Sequence, residues 1–335
     1  DLIVRYQVDA ASWTPLYDAR LATGSRTQPA KLALARRASI QQRTGESWDN
    51  ITLALSTTRP GAGTSAPDLR SITVDFVPDA PPPALAAAPA TRQMMRERAD
   101  EDQLTRQGAM AKNNLPVDQA TATVDVGAFQ SIYSIPGRVT VPQTGDPKRV
   151  LIDEQSIDPA LSARTVPKRD PKAYLYAKMT LPKSLSVLPG QVSLFRDGVF
   201  VGNGRLPQLA GGEEHELGFG QDDRIRVRYD VTDETKGESG IISTSKTDAK
   251  AYRITVKSLH ERPMAVSVID QVPIAQNQEI KVELTTKTAA TRRDMEGKRG
   301  LLAWDMTLAP DEEKVVEFGH RIVWPAAKRI QQSLN

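Results

Sequence analysis

Val192–Gly202 reads VSLFRDGVFVG. Two apolar runs flank Asp197-Gly198, and a two-residue Asp-Gly loop supplies the positive φ angles that a type I′ hairpin turn requires. The stretch predicts two antiparallel strands joined by a tight turn. Working outward, the same period-two alternation recurs along most of the chain. Leu2, Val4, Tyr6 and Val8 alternate with Ile3, Arg5, Gln7 and Asp9. Leu32, Leu34, Ala38 and Ile40 share one face, as do Ile51, Leu53 and Leu55, then Ile72, Val74 and Phe76. Phe129, Ser131, Tyr133 and Ile135 follow, and AYLYAKMTLP (Ala173–Pro182) reads as a further strand. Each run ends in Gly, Pro, Asn or Asp, the chemistry of turns.

Beyond about Gln221 the alternation restarts. Ile225, Val227, Tyr229 and Val231 alternate with Arg224, Arg226, Arg228 and Asp230. Tyr252–Val256, Val266–Val268, Ile280–Leu284, Leu302–Leu308 and Val316–Trp324 continue it. Six or seven strands in just over a hundred residues is the size of an immunoglobulin-like sandwich. The expectation is therefore all-β: an N-terminal antiparallel β domain over 1–220, then an immunoglobulin-like β-sandwich over 221–335. A Pro/Ala-rich and partly helical insertion interrupts the first domain at about 78–118, where PDAPPPALAAAPA precedes a run of helix formers. Thr44-Gly45-Glu46 is expected to turn a hairpin whose strands are 31–43 and about 49–57.

Composition narrows function more than it assigns it. The 335 residues carry 44 Lys+Arg against 41 Asp+Glu, a net charge of +3. So even a balance argues against nucleic-acid binding, which concentrates basic charge. There is no cysteine, which removes disulfides, thiol catalysis and cysteine-based zinc sites. No apolar run approaches the length of a membrane helix. The chain begins at Asp1 without a signal peptide, as expected of a mature or excised portion of something longer.

Catalytic motifs are scarce. His215, His260 and His320 are far apart and outside any H-E-x-x-H pattern. "GESW" lacks the second Gly of a nucleophile elbow. "GFGQDD" (Gly218–Asp223) lies between β segments, so it reads as a turn. Asp222 and Asp223 are solvated turn carboxylates in that reading, with a noncanonical cation site as the sharper one. No cofactor is implied. Two groups of binding residues remain. Trp13, Tyr17 and Trp48 could stack on a sugar, with Glu46 and Asp49 beside them as polar or processing groups, although such aromatics also pack cores. Arg224, Arg226 and Arg228 form a one-sided basic stripe suited to an anionic polysaccharide, an anionic lipid surface or an acidic partner.

Four stretches, taken together, carry a family resemblance: WTPLYDAR (Trp13–Arg20), TGESW (Thr44–Trp48) leading into LALST (Leu53–Thr57), FRDGVFVG (Phe195–Gly202) and FGQD (Phe219–Asp222). They resemble the C-terminal domain of the mucoidy-inhibitor A family, a domain of unknown function. The resemblance implies a β domain and a coiled coil preceding this region, an envelope or periplasmic setting, and no known reaction. The expectation is a noncatalytic envelope interaction module that binds a protein partner through sheet edges or the insertion. Carbohydrate binding, with an envelope polysaccharide as ligand, and anion-surface binding are the competing readings.

Overall fold

The Asp197-Gly198 turn forms as the sequence predicts, with φ angles of 48° and 84°. It joins β-strands Gly190–Arg196 and Val199–Leu206 in antiparallel register. The structure, a computed structural model, describes residues 2–57, 123–126, 131–239 and 245–332. Their strands, in chain order, are β1 (Ala11–Ala22), β2 (Lys31–Gln42), β3 (Trp48–Ile51), β4 (Ala54–Ser56), β5 (Thr123–Val126), β6 (Ser131–Ser134) and β7 (Val139–Val141). Then come β8 (Lys148–Ile157), β9 (Ala160–Val166), β10 (Asp170–Thr180), β11 (Gly190–Arg196), β12 (Val199–Leu206), β13 (Glu214–Ser239) and β14 (Ser245–Ser258). The last are β15 (Met264–Gln271), β16 (Lys281–Thr286), β17 (Arg292–Arg293), β18 (Leu301–Leu308) and β19 (Glu313–Pro325). No α-helix occurs among the described residues, where one short 3₁₀ turn, Met295–Gly297, stands between strands. The chain is almost entirely β.

Contacts divide the chain into one unit of residues 1–56 and 120–335 and another of residues 57–119. The expected insertion at 78–118 and the strand expected at Ile72–Phe76 lie outside the described residues.

Two large sheets dominate. One has five strands in the order β12-β11-β1-β2-β8, the other nine in the order β16-β19-β14-β13-β10-β9-β15-β18-β17. The pairs β1–β11 and β9–β15 are parallel. Tyr17, Leu21, Leu32, Leu34 and Val192 of the first sheet share one buried cluster with Leu175, Met179, Phe219, Ile254 and Val268 of the second. A separate cluster sets Ala38, Ile40, Val150 and Ile152 of β2 and β8 against Leu55, Tyr133 and Val141 of the small sheets. The nine-stranded sheet also curls onto itself. Trp304 of β18 lies 4.8 Å, ring to ring, from Phe318 of β19, although β18 and β19 sit near opposite ends of the strand order. The indole N–H donates to Thr288 O at 3.0 Å, so this buried aromatic also satisfies its one polar atom.

The structure adds strands that the sequence reading did not single out, among them β1, β8 and β9, and departs from the expected elements at three further places. Residues 2–8 form no strand, and Leu2 and Ile3 are 90% and 80% exposed. Alternation makes a strand only where a sheet edge is open, and both edges of β1 are taken, by β11 and β2. Secondly, β2 does not pair with the segment after Gly45. Its edges belong to β1 and β8, while β3 pairs with β7 and β4 with β6. The turn at 43–47 is held instead by the Gln42 side chain, 1% exposed. Its Nε2 donates to Glu46 O and Val141 O at 2.8 and 3.0 Å, and its Oε1 accepts from the Thr44 N–H and hydroxyl. Thirdly, the boundary drawn between residues 220 and 221 falls inside β13, and β9 and β10 lie within the same sheet as the strands beyond it. The two layers expected of a separate sandwich over 221–335 are thus parts of one hydrogen-bonded sheet that also takes in β9 and β10.

Candidate functional site

The cleft begins with a bulge. Opposite β10, β13 advances from Gly218 to Arg226 while β10 advances only from Tyr176 to Lys172. The surplus residues leave the ladder, and Gly220, at φ 81°, lets the backbone turn without ending the strand. "GFGQDD" is therefore an irregularity inside a long strand. Its effect is to turn Asp222 inward. The Asp222 side chain is 7% exposed and its Oδ2 lies 2.8 Å from His260 Nε2, with the His260 side chain 13% exposed. Asp222 Oδ1 accepts the Arg224 N–H at 3.1 Å.

A cavity of about 250 Å³ opens beside this pair. Its floor is Leu161, Leu175 and Met264, and its walls carry Arg26, Arg196, Arg224 and Arg262 with Asp197, Asp222, Asp223 and Glu261. The hairpin at Asp197 closes one wall: Asp197 accepts the Thr23 N–H and hydroxyl, each at 2.8 Å, and its own N–H donates to Leu21 O. The loop after Thr23 is tight. Gly24 has φ 74°, and a Cβ there would meet Gln28 O at 2.4 Å. Ser25 Oγ accepts from the Thr27 and Gln28 N–H groups.

Two guanidiniums are held by main-chain carbonyls. Arg196 Nη1 donates to Gln221 O at 2.6 Å, and Arg262 Nη2 donates to Thr23 O. Asp223 accepts from Gln221 Nε2 at 2.6 Å. Among the described residues the arginine ion pairs are made elsewhere, for instance by Arg36 with Asp153 and Arg253 with Glu317. Among the described residues the four cleft guanidiniums have no carboxylate within ion-pair distance, and those of Arg196 and Arg262 are oriented without being neutralised pairwise.

Of the residues expected from sequence to bind sugar, Trp13 and Tyr17 line one small recess with Arg36 and Tyr133, whereas Glu46, Trp48 and Asp49 do not line it. Tyr17 is 3% exposed in the large core, and its hydroxyl donates to Leu188 O at 2.8 Å and accepts the Leu188 N–H at 3.0 Å. Burial pushes its pKa well up, with smaller opposing effects from Leu188 and Arg36. Its hydroxyl is thus committed to the Leu188 main chain. Trp13 and Trp48 are half-buried against the second cluster. Trp13 meets Tyr133 edge-on at 6.2 Å and donates to Ser56 O at 3.0 Å. Glu46 and Asp49 are exposed, and Glu46 accepts the Tyr6 hydroxyl at 2.8 Å.

The arginine stripe does lie on one exposed face of β13, but it divides into three settings. Arg224 lines the cleft. Arg226 is in register with Lys172 and Lys257. Arg228 pairs with Asp230 at 2.9 Å. Asp222 is not the solvated turn carboxylate that its sequence context suggests, whereas Asp223 is exposed. Among the described residues no group of three His, Asp or Glu side chains is placed to hold a metal ion. Sequence reasoning passed over Arg196 and Arg262, and weighed His260 only against a metal-binding pattern. Their only signal was adjacency to turn motifs, Arg196 before Asp197-Gly198 and His260 and Arg262 within HERP, and nothing local joins those motifs.

A second polar group is buried between the layers of the nine-stranded sheet. Tyr229, Tyr252 and His320 stack in sequence, with ring centroids 5.7 and 5.9 Å apart. Tyr229 Oη, Asp248 Oδ1, Asp270 Oδ2 and His320 Nδ1 are buried without a protein partner. Burial raises the Asp270 pKa to about 6, against the smaller opposing effects of the Gln271 N–H and Lys168. Burial also lowers that of His320, with Lys168 acting the same way.

The fold and the cleft describe a β module with an oriented, charged recess, and comparison with known proteins gives its family. Residues 2–326 match the family described as a domain of unknown function, DUF4139. The chain belongs to that family. It is similar to Protein F37C4.5 of Caenorhabditis elegans, 25% identical over 98% of this chain and 61% of the worm protein. The chain thus spans about three-fifths of that relative's length. No solved structure matches it. No helix among the described residues is long and apolar enough to cross a membrane.

Proposed function

We propose that the chain is a noncatalytic binding module of the mucoidy-inhibitor A type, acting in the cell envelope, and that its recognition site is the arginine-lined cleft, which takes an anionic group. One observation carries this reading: Arg196 and Arg262 are positioned by Gln221 O and Thr23 O rather than by carboxylates. A guanidinium oriented by a carbonyl keeps its charge and its remaining N–H donors for an oxyanion, and its ordering cost is already met on folding. The acids on the same walls are partly committed, Asp197 to Thr23 and Asp222 to His260.

The noncatalytic part is supported by the hydroxyls. Thr23 Oγ1 is bonded to Asp197 and Ser25 Oγ to main-chain amides, so neither forms the hydrogen bond to His260 that an activated nucleophile needs. Acidic side chains of a protein partner and carboxylates of an envelope polysaccharide both present the required chemistry. Titration of the chain with acetate, with a poly-Glu peptide and with a uronate oligosaccharide, followed by amide NMR, tests the proposal. Shifts should centre on the 196, 221–224 and 260–262 backbone, and Arg196→Gln with Arg262→Gln should weaken binding at least tenfold. Equal binding by the folded double variant would refute the assignment. The ligand that binds tighter than acetate identifies the source of the anion.

A further inference from the structure

The cleft does not end at Arg262. A second cavity, of about 410 Å³, shares part of its lining, and Leu161, Arg262 and Met264 line both. Arg262, held by Thr23 O, therefore borders both compartments. The compartments differ in chemistry. The first holds the other three guanidiniums and the Asp222–His260 pair. The second is walled by Pro29, Ala30, Pro159 and Pro263, with Lys31 and Asp158 at its rim already paired with each other. A proline carries no main-chain N–H, so three of these wall residues offer a ligand apolar ring surface and no main-chain donor.

We infer that this groove takes an amphiphilic carboxylate, its anionic head among the guanidiniums of the first compartment and a short hydrocarbon tail against the proline wall of the second. The inference rests on the anion-binding reading above and adds the tail. The guanidiniums without ion-pair partners set the polarity of the bound molecule, since three of the four line the first compartment alone, where Asp197 and Asp222 are already hydrogen-bonded. Leu161 and Met264, which line both compartments, supply apolar surface common to the two. The tail is a distinct source of affinity from the head, so the two can be measured apart.

The test is a calorimetric series of sodium acetate, butyrate, hexanoate and octanoate against the intact chain. Affinity should rise with chain length, approaching fourfold per fully buried methylene. Ala30→Asp, an edit to the second wall only, should flatten that slope while leaving acetate binding unchanged, with a thermal melt confirming that the variant is folded. If acetate binds and affinity is level through octanoate, the tail compartment is refuted and the anion site stands. If no member of the series binds, both readings fall.

Discussion

Asp222 Oδ2 and His260 Nε2 lie 2.8 Å apart across 38 residues of sequence, both side chains more than four-fifths buried. The pair joins the bulged part of β13 to the segment that follows β14. It also forms one wall of the cleft, so the geometry of the site and the stability of the junction are linked.

Replacing His260 by Ala would leave the Asp222 carboxylate buried with only the Arg224 N–H. An orphaned buried group costs about 1–3 kcal/mol. His260→Ala should lower unfolding stability by that amount, and Asp222→Asn, which can still accept hydrogen bonds, should lower it less. Urea denaturation of the two variants would decide; a His260→Ala loss below about 0.5 kcal/mol would mean that the pair contributes little.

Asp270 makes stability depend on pH in a definite sense. Its folded-state pKa, about 6, lies above the unfolded value of 3.8. The folded protein binds that proton more tightly, so this contribution is complete below pH 4 and is lost as pH rises through about 6. Asp270→Asn should be more stable than the parent at pH 8, by up to about 3 kcal/mol. His320 acts in the opposite direction: its pKa is lowered, so its contribution is present above pH 6.5 and lost on acidification. Chemical denaturation at pH 4.5 and pH 8 for Asp270→Asn and His320→Gln should show effects of opposite pH dependence. Parallel profiles for both variants and the parent would contradict this account.

Trp304 joins the two ends of the curled sheet through Phe318. Trp304→Ala should cost about 3–5 kcal/mol, the usual range for deleting a buried aromatic. Trp304→Phe should cost less by keeping the ring but would leave Thr288 O without its donor. Differential scanning calorimetry of the two variants would rank them. An equal loss in both would place the stabilisation in the indole N–H rather than in the ring.

Arg226 stands in register with Lys172 on one side and Lys257 on the other. Like charges directly opposite on a sheet are mildly destabilising. Arg226→Glu should therefore raise stability by about 0.2–1 kcal/mol and leave cleft binding intact, since Arg226 is not on the cleft wall. A loss of acetate binding in this variant would instead assign the exposed face of β13 to the anion site.

Alternation of apolar residues named most strands correctly, because burial on one face of a sheet imposes period two on the sequence itself. The Asp197-Gly198 hairpin was legible for a similar reason, since positive φ at both turn residues is a local requirement. Residues 2–8 mark the limit of that argument. Their alternation is as clear as that of β13, yet no open edge receives them, and edges are decided by strands far away in the chain. The same holds at Gly45, where Gln42 binds Val141 across almost a hundred residues and β2 takes β8 as its neighbour. It holds most of all for the cleft. Locally, "GFGQDD" is a turn and "HERP" a polar link. The ladder between β13 and β10 turns Asp222 inward, and the end of β14 brings His260 to meet it. By itself the sequence determined many of the strand segments and the reversal at Asp197-Gly198, because those depend on neighbouring side chains and backbone sterics. Tertiary structure alone decided which strands pair, where the ladder slips, and hence which charges face one another, because those depend on competition for a limited number of sheet edges.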